Sequence, residues 1–521
     1  MIFRSPYPPV DVPRVALHDF VLGGAAARGE APALIDGTTG RVLTFAQLVD
    51  QTRRLAAGLH GRGIRQRDVV AIWSPNSPEY AVVFHAVSRL GAILTTVNPT
   101  YTVEELAFQL NDAGACLIFT TAALLEKARA AVADAGQRIE IITIDAVDGV
   151  PSFAETLVDA EPPVVTIDPD RDLVVLPYSS GTTGLPKGVM LTHRNLVANL
   201  LQIDAMEPAE LRALLGVLPF FHIYGMVVIM NHGLLRGATV VTLPRFDLET
   251  VLRMIQDHQI ALAHVVPPVV IAFAKHPMVE RFDLSTLRWL FSGAAPLGSE
   301  ITSTVETRLS IKVRQGYGMT EASPVTHYTP AGGERAGKVG LLVPSTELRI
   351  VDPATGVDLG EGEAGEVWVR GPQVMQGYLN NPEATALTVD AEGWLHTGDI
   401  GVVDAEGYLE VVDRLKELIK VKAFQVAPAE LEALLLKHPK IADAAVFGVP
   451  DDDCGEVPKA IIVMREPLTC EEVMAFVELH VAHYKRLRHV AFAEAIPKSP
   501  SGKILRRVLV AAERAAAKLS A

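Results

Sequence analysis

Asp68-Val-Val-Ala-Ile-Trp73 is a short apolar run, and Ser77-Pro78-Glu79 follows it almost directly. A serine, a proline and an acid in that order are typical of a helix N-terminus. The alternation continues with the apolar run 92–97, the capping box Thr102-Val-Glu-Glu105 and the strand-like run Cys116-Leu-Ile-Phe119. Strands separated by helices pair in parallel through right-handed crossovers. This part of the sequence therefore predicts a doubly wound α/β fold.

The pattern of predicted strands and helices changes twice toward the C-terminus. Short strands split by turns over Gly337–Tyr408 predict a small β subdomain. After Asp413 the pattern resets to a compact α+β unit. A chain of 521 residues is also about three times the ~150-residue prior for one domain. We therefore predict a large N-terminal domain over residues 1–413, doubly wound with the β subdomain, and a small mobile α+β domain over residues 414–521.

Composition and charge narrow the class of protein. Hydrophobic residues make up 49% and charged residues 21%, which excludes a disordered tail, a coiled coil and a disulfide-stabilised miniprotein. The formal net charge of −14 argues against general nucleic-acid binding but permits a nucleotide in a local pocket.

Cysteines and apolar runs bear on the compartment. The three cysteines are far apart, and the N-terminus lacks the apolar core of a signal peptide. The uncharged run Ala213–Leu235 has the length of a membrane span, but Pro219, His222 and Gly225 interrupt it. The sequence therefore predicts a cytoplasmic protein with no membrane span, in which this run is buried core.

A loop rich in glycine and hydroxyl groups is the first chemical signal. Ser179-Ser-Gly-Thr-Thr-Gly-Leu-Pro-Lys-Gly188 follows the apolar run Leu173–Leu176. Such a loop brings backbone N–H groups and one lysine close to phosphate oxygens. It is not the standard P-loop, because no Gly-Lys-Ser/Thr occurs at the required spacing. On composition alone, a flexible connection is an equally good interpretation.

The exact string is more specific, because it resembles the signature loop of the adenylate-forming superfamily of acyl-CoA synthetases, luciferases and adenylation domains. Four further segments match that superfamily in order: Tyr317-Gly-Met-Thr-Glu321, Thr397-Gly-Asp399, Asp413-Arg-Leu-Lys-Glu-Leu-Ile-Lys420 and Pro500-Ser-Gly-Lys503. Two strings, Leu218–Tyr224 and Phe424–Glu430, are most similar to 4-coumarate–CoA ligases. The resemblance spans nearly the whole chain.

The resemblance implies an ATP-dependent carboxylate–CoA ligase that uses ATP, Mg2+ and CoA. It would form an acyl-adenylate with release of pyrophosphate, and then an acyl-CoA thioester with release of AMP. Thr182, Thr183 and Lys187 are expected to hold the β- and γ-phosphates, Thr320 to donate to the α-phosphate, and Glu321 to bind Mg2+, a hard cation that prefers oxygen. The residues expected to be catalytic are Lys503, Lys420, His222, Thr320 and Glu321.

The nucleoside and CoA contacts follow from the same resemblance. Asp399 is expected to accept hydrogen bonds from the ribose beside Arg414, and Tyr317 to stack on adenine, although Gly398-Asp399 alone would read as an ordinary turn. The residues expected to bind ATP or CoA are Ser179, Ser180, Gly181, Thr182, Thr183, Gly184, Lys187, Gly293, Ala294, Ala295, Gln315, Gly316, Tyr317, Gly318, Thr320, Asp399, Arg414, Lys420, Lys422, Ala423, Gln425 and Lys503.

The lysines imply a moving C-terminal domain. By resemblance, Lys503 bridges the attacking carboxylate and the phosphates, whereas Lys420 and Gln425 belong to the face that turns toward the adenylate for thioester formation. Lys416 matches the hinge. One small domain would then present two faces in succession.

The acyl pocket is expected to be lined by His222, Tyr224, Met226, Val228, Ser292, Gly293, Gly316, Pro324 and Val325. Glycines at 293 and 316 would leave room for a flat ring, and Tyr224 offers a phenol partner. An aromatic or phenylpropanoid acid fits, and so does a medium-chain fatty acid, since apolar pockets discriminate weakly between such shapes. The sequence leaves the oligomeric state open.

Two positions depart from the superfamily pattern. An aromatic residue, Lys and Gly commonly follow the position of Lys420, but this chain has Val421-Lys422-Ala423. A Cβ in place of a glycine near the pantetheine channel would impair the CoA step. The alternatives are therefore a medium-chain fatty acyl-CoA ligase and an acyl-adenylate-forming enzyme with an impaired CoA step. A regulator that has lost catalysis is disfavoured, because Glu321, Asp399 and Lys503 are all present.

Overall fold

The predicted alternation of strands and helices forms a largely parallel sheet in the N-terminal part. The computed structural model describes residues 1–179, 186–207, 210–422, 424–451, 454–499 and 502–520. Neighbouring strands of this first sheet are, in order, Glu140–Thr143, Ala115–Thr120, Val69–Trp73, Ile93–Thr96, Leu173–Val175, Lys187–Thr192 and Gly377–Tyr378, with Tyr178–Ser179 paired to Lys187–Thr192. The capping box before the helix Val103–Ala113 is formed, since Glu105 N donates to Thr102 Oγ1 at 3.3 Å.

A second sheet packs its central strands in parallel beside the first. Its strands are, in order, Val42–Thr44, Pro32–Asp36, Thr239–Thr242, Ala213–Gly216, Leu262–Val265, Trp289–Ser292, Lys312–Gly318, Val325–Tyr328 and Leu341–Leu342. The run Ala213–Leu235 supplies one of these strands and a π-helix at Tyr224–Asn231. It is largely buried, as predicted. Within the described ranges, no helix is long and apolar enough to cross a membrane.

Helices cover both sheets, as a doubly wound fold requires. Phe45–Gly61 shows the principle, because it buries Leu48, Leu55 and Leu59 along one side. The helices are Leu17–Leu22, Phe45–Gly61, Pro78–Arg89, Val103–Ala113, Leu125–Ala133, Phe153–Thr156, His193–Met206, His232–Arg236, Leu248–Asp257, Pro267–Lys275, Ser299–Leu309 and Pro382–Thr388, with short 3-10 turns at Ala25–Arg28, Ala122–Leu124, Pro277–Arg281 and Thr320–Ala322.

The β subdomain is an antiparallel sheet. Its strands are, in order, Phe3–Arg4, Glu347–Val351, Ala364–Arg370, Leu395–Val403 and Leu409–Arg414. The last two strands place Asp399 directly opposite Arg414.

The C-terminal unit has its own sheet and apolar core. Its strands are, in order, Phe424–Val426, Ile419–Val421, Gly455–Met464 and Ile441–Asp451, with His489–Phe492 paired to Gly455–Met464. The helices Pro428–Leu435, Cys470–Glu478 and Arg506–Ser520 and a 3-10 turn at His483–Lys485 complete it. Buried Leu431, Val446 and Val473 belong to one cluster. The predicted α/β class, with a β subdomain and a small α+β unit, is confirmed.

Candidate active site

One cavity of about 1090 Å³ collects residues from both large sheets, the β subdomain and the C-terminal unit. The predicted site residues that line it are Ser179, Lys187, His222, Tyr224, Val228, Gly293, Ala294, Gly316, Tyr317, Gly318, Thr320, Glu321, Pro324, Val325, Arg414, Lys416 and Lys503. These residues are distant in sequence, and the fold brings them together.

Other predicted residues lie elsewhere. Met226 and Ser292 are buried outside the lining. The π-helix places Tyr224 and Val228 on the cavity face and Met226 on another, while strand alternation gives the cavity Phe291 and Gly293 instead of Ser292. The lining also excludes Ala295, Gln315, Lys420 and Lys422. The predicted residues Ser180, Gly181, Thr182, Thr183, Gly184 and Ala423, and the side chain of Gln425, lie outside the described residues.

We call the part of the cavity around Tyr317 and Arg414 the nucleoside end, because the sequence predicts that these residues bind the nucleoside. Three side chains there are joined by polar contacts. The Tyr317 hydroxyl donates to Asp399 Oδ2 at 2.6 Å, and Arg414 Nε lies 3.2 Å from Asp399 Oδ1. Burial, followed by the charge of Asp399, raises the pKa of Tyr317, so the phenol stays a donor. Asp399 does not line the cavity itself, but its carboxylate is held just behind Tyr317 and Arg414, both of which do.

We call the part of the cavity around Glu321 and Lys187 the phosphate end, because the sequence predicts that these residues bind Mg2+ and the phosphates. Its Oε1 accepts from Ser179 Oγ at 2.9 Å and from the Tyr378 hydroxyl at 2.8 Å. Lys187 Nζ lies 3.9 Å from the centre of the Tyr378 ring. Burial lowers the pKa of Lys187, and the charge of Glu321 opposes that shift. A carboxylate, hydroxyl groups and an ammonium group thus meet in one corner of the cavity.

The donor set at Glu321 fits a magnesium ion carried by a phosphate. Both hydrogen bonds that the Glu321 side chain accepts from the described residues end on Oε1, so Oε2 keeps its lone pairs for a hard cation. Within the part of the chain that the structure describes, no cluster of three His, Cys, Asp or Glu side chains could hold a metal ion. Mg2+ commonly binds through one or two carboxylates plus substrate phosphates, which is the arrangement that a single glutamate supports.

We call the part of the cavity around His222 and Tyr224 the acyl end, because the acid is predicted to bind there. Its lining side chains are largely aromatic. Tyr224 donates through its hydroxyl to Phe291 O at 3.2 Å, and its ring meets that of His264 edge-on. His222 Nδ1 accepts from Tyr224 N at 3.2 Å. Burial, followed by the charge of Lys503, lowers the pKa of His222 to about 3. The ring is therefore neutral at pH 7, and because Nδ1 is the acceptor, its proton is on Nε2.

The glycines of this wall make room for protein rings. A Cβ at Gly293 would lie 2.9 Å from Tyr224 Cε1, and one at Gly316 would lie 2.8 Å from Phe291 Cε1. Their lack of a side chain lets Tyr224 and Phe291 pack against the backbone. Sequence reasoning assigned the space to a substrate and missed Phe291 and Tyr328, which line the cavity and stack at 4.4 Å. The alternation of side chains between the two faces of the strand Trp289–Ser292 could have identified Phe291 as a cavity residue.

The two predicted catalytic lysines have opposite environments. Lys503 lies in the cavity near Arg414, Asp399 and Glu321, and burial is the main cause that lowers its pKa. Lys420 is exposed, and its backbone N–H donates to Glu456 Oε2 at 2.9 Å. The C-terminal unit therefore presents the Lys503 face to the cavity.

Family models match both parts of the chain: "AMP-binding enzyme" over residues 24–379 and "AMP-binding enzyme C-terminal domain" over residues 430–503. 4-Coumarate–CoA ligase 5 of Oryza sativa subsp. japonica is 45% identical over 98% of this chain and 96% of its own length. 4-Coumarate–CoA ligase 1 of Narcissus pseudonarcissus is 44% identical over the same shares of both chains.

Solved structures agree with this relationship. The anthranilate–CoA ligase AuaEII in complex with anthranoyl-AMP has a TM-score of 0.89 at 26% identity, over 98% of this chain and 99% of its own. ATP-bound MatB of Rhodopseudomonas palustris has a TM-score of 0.87 at 29% identity, over 95% and 98%. The predicted reaction class is confirmed: an AMP-forming acid–thiol ligase with ATP, Mg2+ and CoA. The chain belongs to the AMP-binding enzyme family.

Proposed function

We propose that the acid substrate is a flat aromatic acid of the hydroxycinnamate type, so that the chain acts as a 4-coumarate–CoA ligase. The observation that carries this proposal is the aromatic end of the cavity, where Tyr224, Phe291 and Tyr328 surround the space beside His222. Rings favour offset or edge contacts with other rings. The 45% identity to a rice 4-coumarate–CoA ligase over nearly the whole chain supports the same acid.

In the first half-reaction, the chain binds and orients both reactants. Lys187 contacts the β- and γ-phosphates with Thr182 and Thr183, Thr320 donates to the α-phosphate, and Glu321 would hold Mg2+. Mg2+ supplies charge neutralisation on the phosphates when bound. Tyr317, Asp399 and Arg414 hold the nucleoside, with Ala294, Gly316 and Gly318 along its walls.

Lys503 joins the two reactants. Its side chain lines the same cavity as Tyr224 and Thr320, so its ammonium group can draw the acid carboxylate and the α-phosphate together for attack. The neutral His222 adds the Nε2–H as a donor for the carboxylate without adding charge. The acid carboxylate then attacks the α-phosphorus and pyrophosphate leaves, giving the acyl-adenylate.

The second half-reaction requires the other face of the C-terminal domain. We propose a boundary between residues 1–413 and 414–521 with Lys416 as the hinge, since the last strand of the β subdomain ends at Arg414 and the next sheet begins at Ile419. Rotation there removes Lys503 and brings Lys420, Lys422 and Gln425 to the adenylate, where the CoA thiol displaces AMP. Ala423 lies outside the described residues, and its effect on this step stays a prediction.

An assay panel tests the function. Pyrophosphate release is measured with and without CoA for 4-coumarate, cinnamate, benzoate and octanoate. We expect CoA-dependent turnover with 4-coumarate preferred. A preference for octanoate would overturn the aromatic acid in favour of a fatty acid, and pyrophosphate release without any thioester would identify an enzyme that stops at the adenylate.

The cysteines bear on the cellular compartment of the protein. None of Cys116, Cys454 and Cys470 forms a disulfide, which agrees with a reducing compartment. A cytoplasmic location stays a prediction on that basis, and fractionation of cells that express the chain is the measurement that checks it.

A further inference from the structure

Tyr378 contacts two residues of the phosphate end at once, although no motif in the sequence singled it out. Its side chain is almost fully buried. Its hydroxyl donates to Glu321 Oε1 at 2.8 Å, and the ammonium group of Lys187 lies 3.9 Å from the centre of its ring. A single aromatic side chain therefore contacts both the carboxylate of Glu321 and the ammonium group of Lys187.

The backbone around Tyr378 is attached on both sides. Met375 N donates to Glu321 O at 2.9 Å, which fixes the segment to the turn that carries the glutamate. Leu379 N donates to Gly188 O at 2.8 Å, which fixes it to the strand that begins at Lys187. The segment that carries Tyr378 therefore cannot shift without breaking hydrogen bonds to both neighbours.

Charge explains why a spacer is useful here. Lys187 and Glu321 carry opposite charges and both contact Tyr378, so they attract each other over a short distance. Yet among the ion pairs of the described ranges, none joins the two side chains. The Tyr378 ring faces the cation, which is a favourable arrangement, and no carboxylate of the described residues forms an ion pair with this ammonium group.

A second donor reinforces the geometry. Ser179 Oγ donates to the same Oε1 of Glu321 at 2.9 Å. Ser179 therefore contacts the same carboxylate as Tyr378, while Lys187 contacts the Tyr378 ring. Two donors on one carboxylate oxygen orient the carboxylate and leave the second oxygen for other ligands.

We propose that Tyr378 is a positioning residue that keeps Lys187 and Glu321 apart. With the ring in place, the ammonium group is free for the polyphosphate and Glu321 Oε2 for its magnesium ion. Without the ring, the two opposite charges close on each other and neutralise both functions. This inference rests on the roles proposed above for Lys187 and Glu321.

The experiment compares three variants. Y378F keeps the spacing ring and removes the hydroxyl, Y378L removes the ring, and S179A removes the other donor. Mn2+ is the probe of the metal position, followed by electron paramagnetic resonance with ATP present, and calorimetry gives the Kd of Mg-ATP. Neither readout requires turnover.

We expect a graded response. Y378F and S179A each weaken Mn2+ binding in the presence of ATP by about tenfold, the scale of one hydrogen bond to a charged group. Y378L weakens Mg-ATP binding further, because it also releases Lys187, while KM for the acid stays as in the wild type. The matched control is Y408F, since Arg335 lies 4.2 Å from the centre of the Tyr408 ring in a similar arrangement, and Tyr408 does not line the cavity. Its Mn2+ affinity should be unchanged.

Two outcomes separate this inference from the function beneath it. If folded Y378F and Y378L bind Mg-ATP and Mn2+ with wild-type affinity while K187A and E321Q do not, the positioning role is wrong and the proposed site stands. If K187A and E321Q also bind normally, the roles of those two residues fail, and the inference about Tyr378 fails with them.

Discussion

Glu207 and Arg314 form an ion pair that solvent does not reach. Glu207 Oε2 lies 2.6 Å from Arg314 Nη1, and both side chains are fully buried. Tyr328 donates to the same Oε2 at 2.7 Å, and the guanidinium lies 5.3 Å from the centre of the Phe291 ring. The pair thereby supports the two stacked rings at the aromatic end of the cavity.

Breaking this pair should destabilise the protein strongly. E207A leaves Arg314 buried and unpaired, and we expect a loss of about 3–5 kcal/mol in the free energy of unfolding. The double variant E207L/R314M removes both charges and should recover most of it. Urea unfolding measures both, with the exposed pair Glu249–Arg253 as the control, where E249Q should cost less than about 0.5 kcal/mol. A double variant as unstable as E207A would contradict the explanation.

Replacing Lys503 should separate the half-reactions. K503A removes the cation beside Arg414 and Asp399, so adenylate formation should fall by about a hundredfold or more. Conversion of preformed acyl-adenylate and CoA into thioester should change little. ATP–pyrophosphate exchange and single-turnover thioester formation measure the two steps, and an equal loss in both would refute the assigned role.

Replacing Lys420 should produce the opposite bias. Lys420 is exposed and outside the cavity lining in the orientation described, so K420A should leave ATP–pyrophosphate exchange near the wild-type rate. Thioester formation from preformed adenylate should slow, because we propose that this step uses the face of the C-terminal domain that carries Lys420. A variant with full thioester synthesis would show that Lys420 is a surface lysine.

A methyl group at Gly293 should disturb acid binding selectively. Its Cβ would lie 2.9 Å from Tyr224 Cε1, which is closer than real contacts allow, so the Tyr224 ring must shift. We expect G293A to raise KM for 4-coumarate by about tenfold, on the scale of about 1–3 kcal/mol for overpacking, with KM for ATP changed far less. G298A provides the control, since nothing lies near a Cβ there.

Buried neutral histidines should make the fold sensitive to acid. His85 is fully buried, neither of its ring nitrogens has a hydrogen-bond partner among the described residues, and burial lowers its pKa to about 3, with His18 contributing. In the unfolded chain, His85 therefore binds a proton at the usual pKa of about 6.5. In the folded chain it binds one only at a much lower pH. His85 therefore does not lower the free energy of unfolding above about pH 6.5, and it lowers this free energy progressively as the pH drops from there toward 3.

The variant H85L tests this directly. Each such histidine contributes a slope of about 1.4 kcal/mol per pH unit in that window. Urea unfolding at pH 7.5, 6 and 5 should show a shallower decline for H85L than for the wild type. Parallel curves would mean that His85 is protonated in the folded protein.

Local signals made much of the fold predictable. Ser77-Pro78 and the Thr102–Glu105 box announce helix starts within a few residues, and the structure confirms both. The side that a residue faces depends instead on the twist and packing of the whole element. Ser292 and Phe291 are neighbours in sequence, yet only Phe291 reaches the cavity. Tyr378 gave no signal, because its importance arises only when two distant segments meet.

The strand Leu409–Arg414 both completes the nucleoside end, through Arg414 opposite Asp399, and leads into the C-terminal sheet at Ile419. A hybrid enzyme joined before Leu409 would import a foreign arginine strand and break the pairing with Asp399. One joined after Leu418 would keep Arg414 opposite Asp399 and exchange only the residues from Ile419 onward. We therefore expect the four residues 415–418, between these two strands, to be the place where the C-terminal unit of one ligase can be joined to the N-terminal part of another.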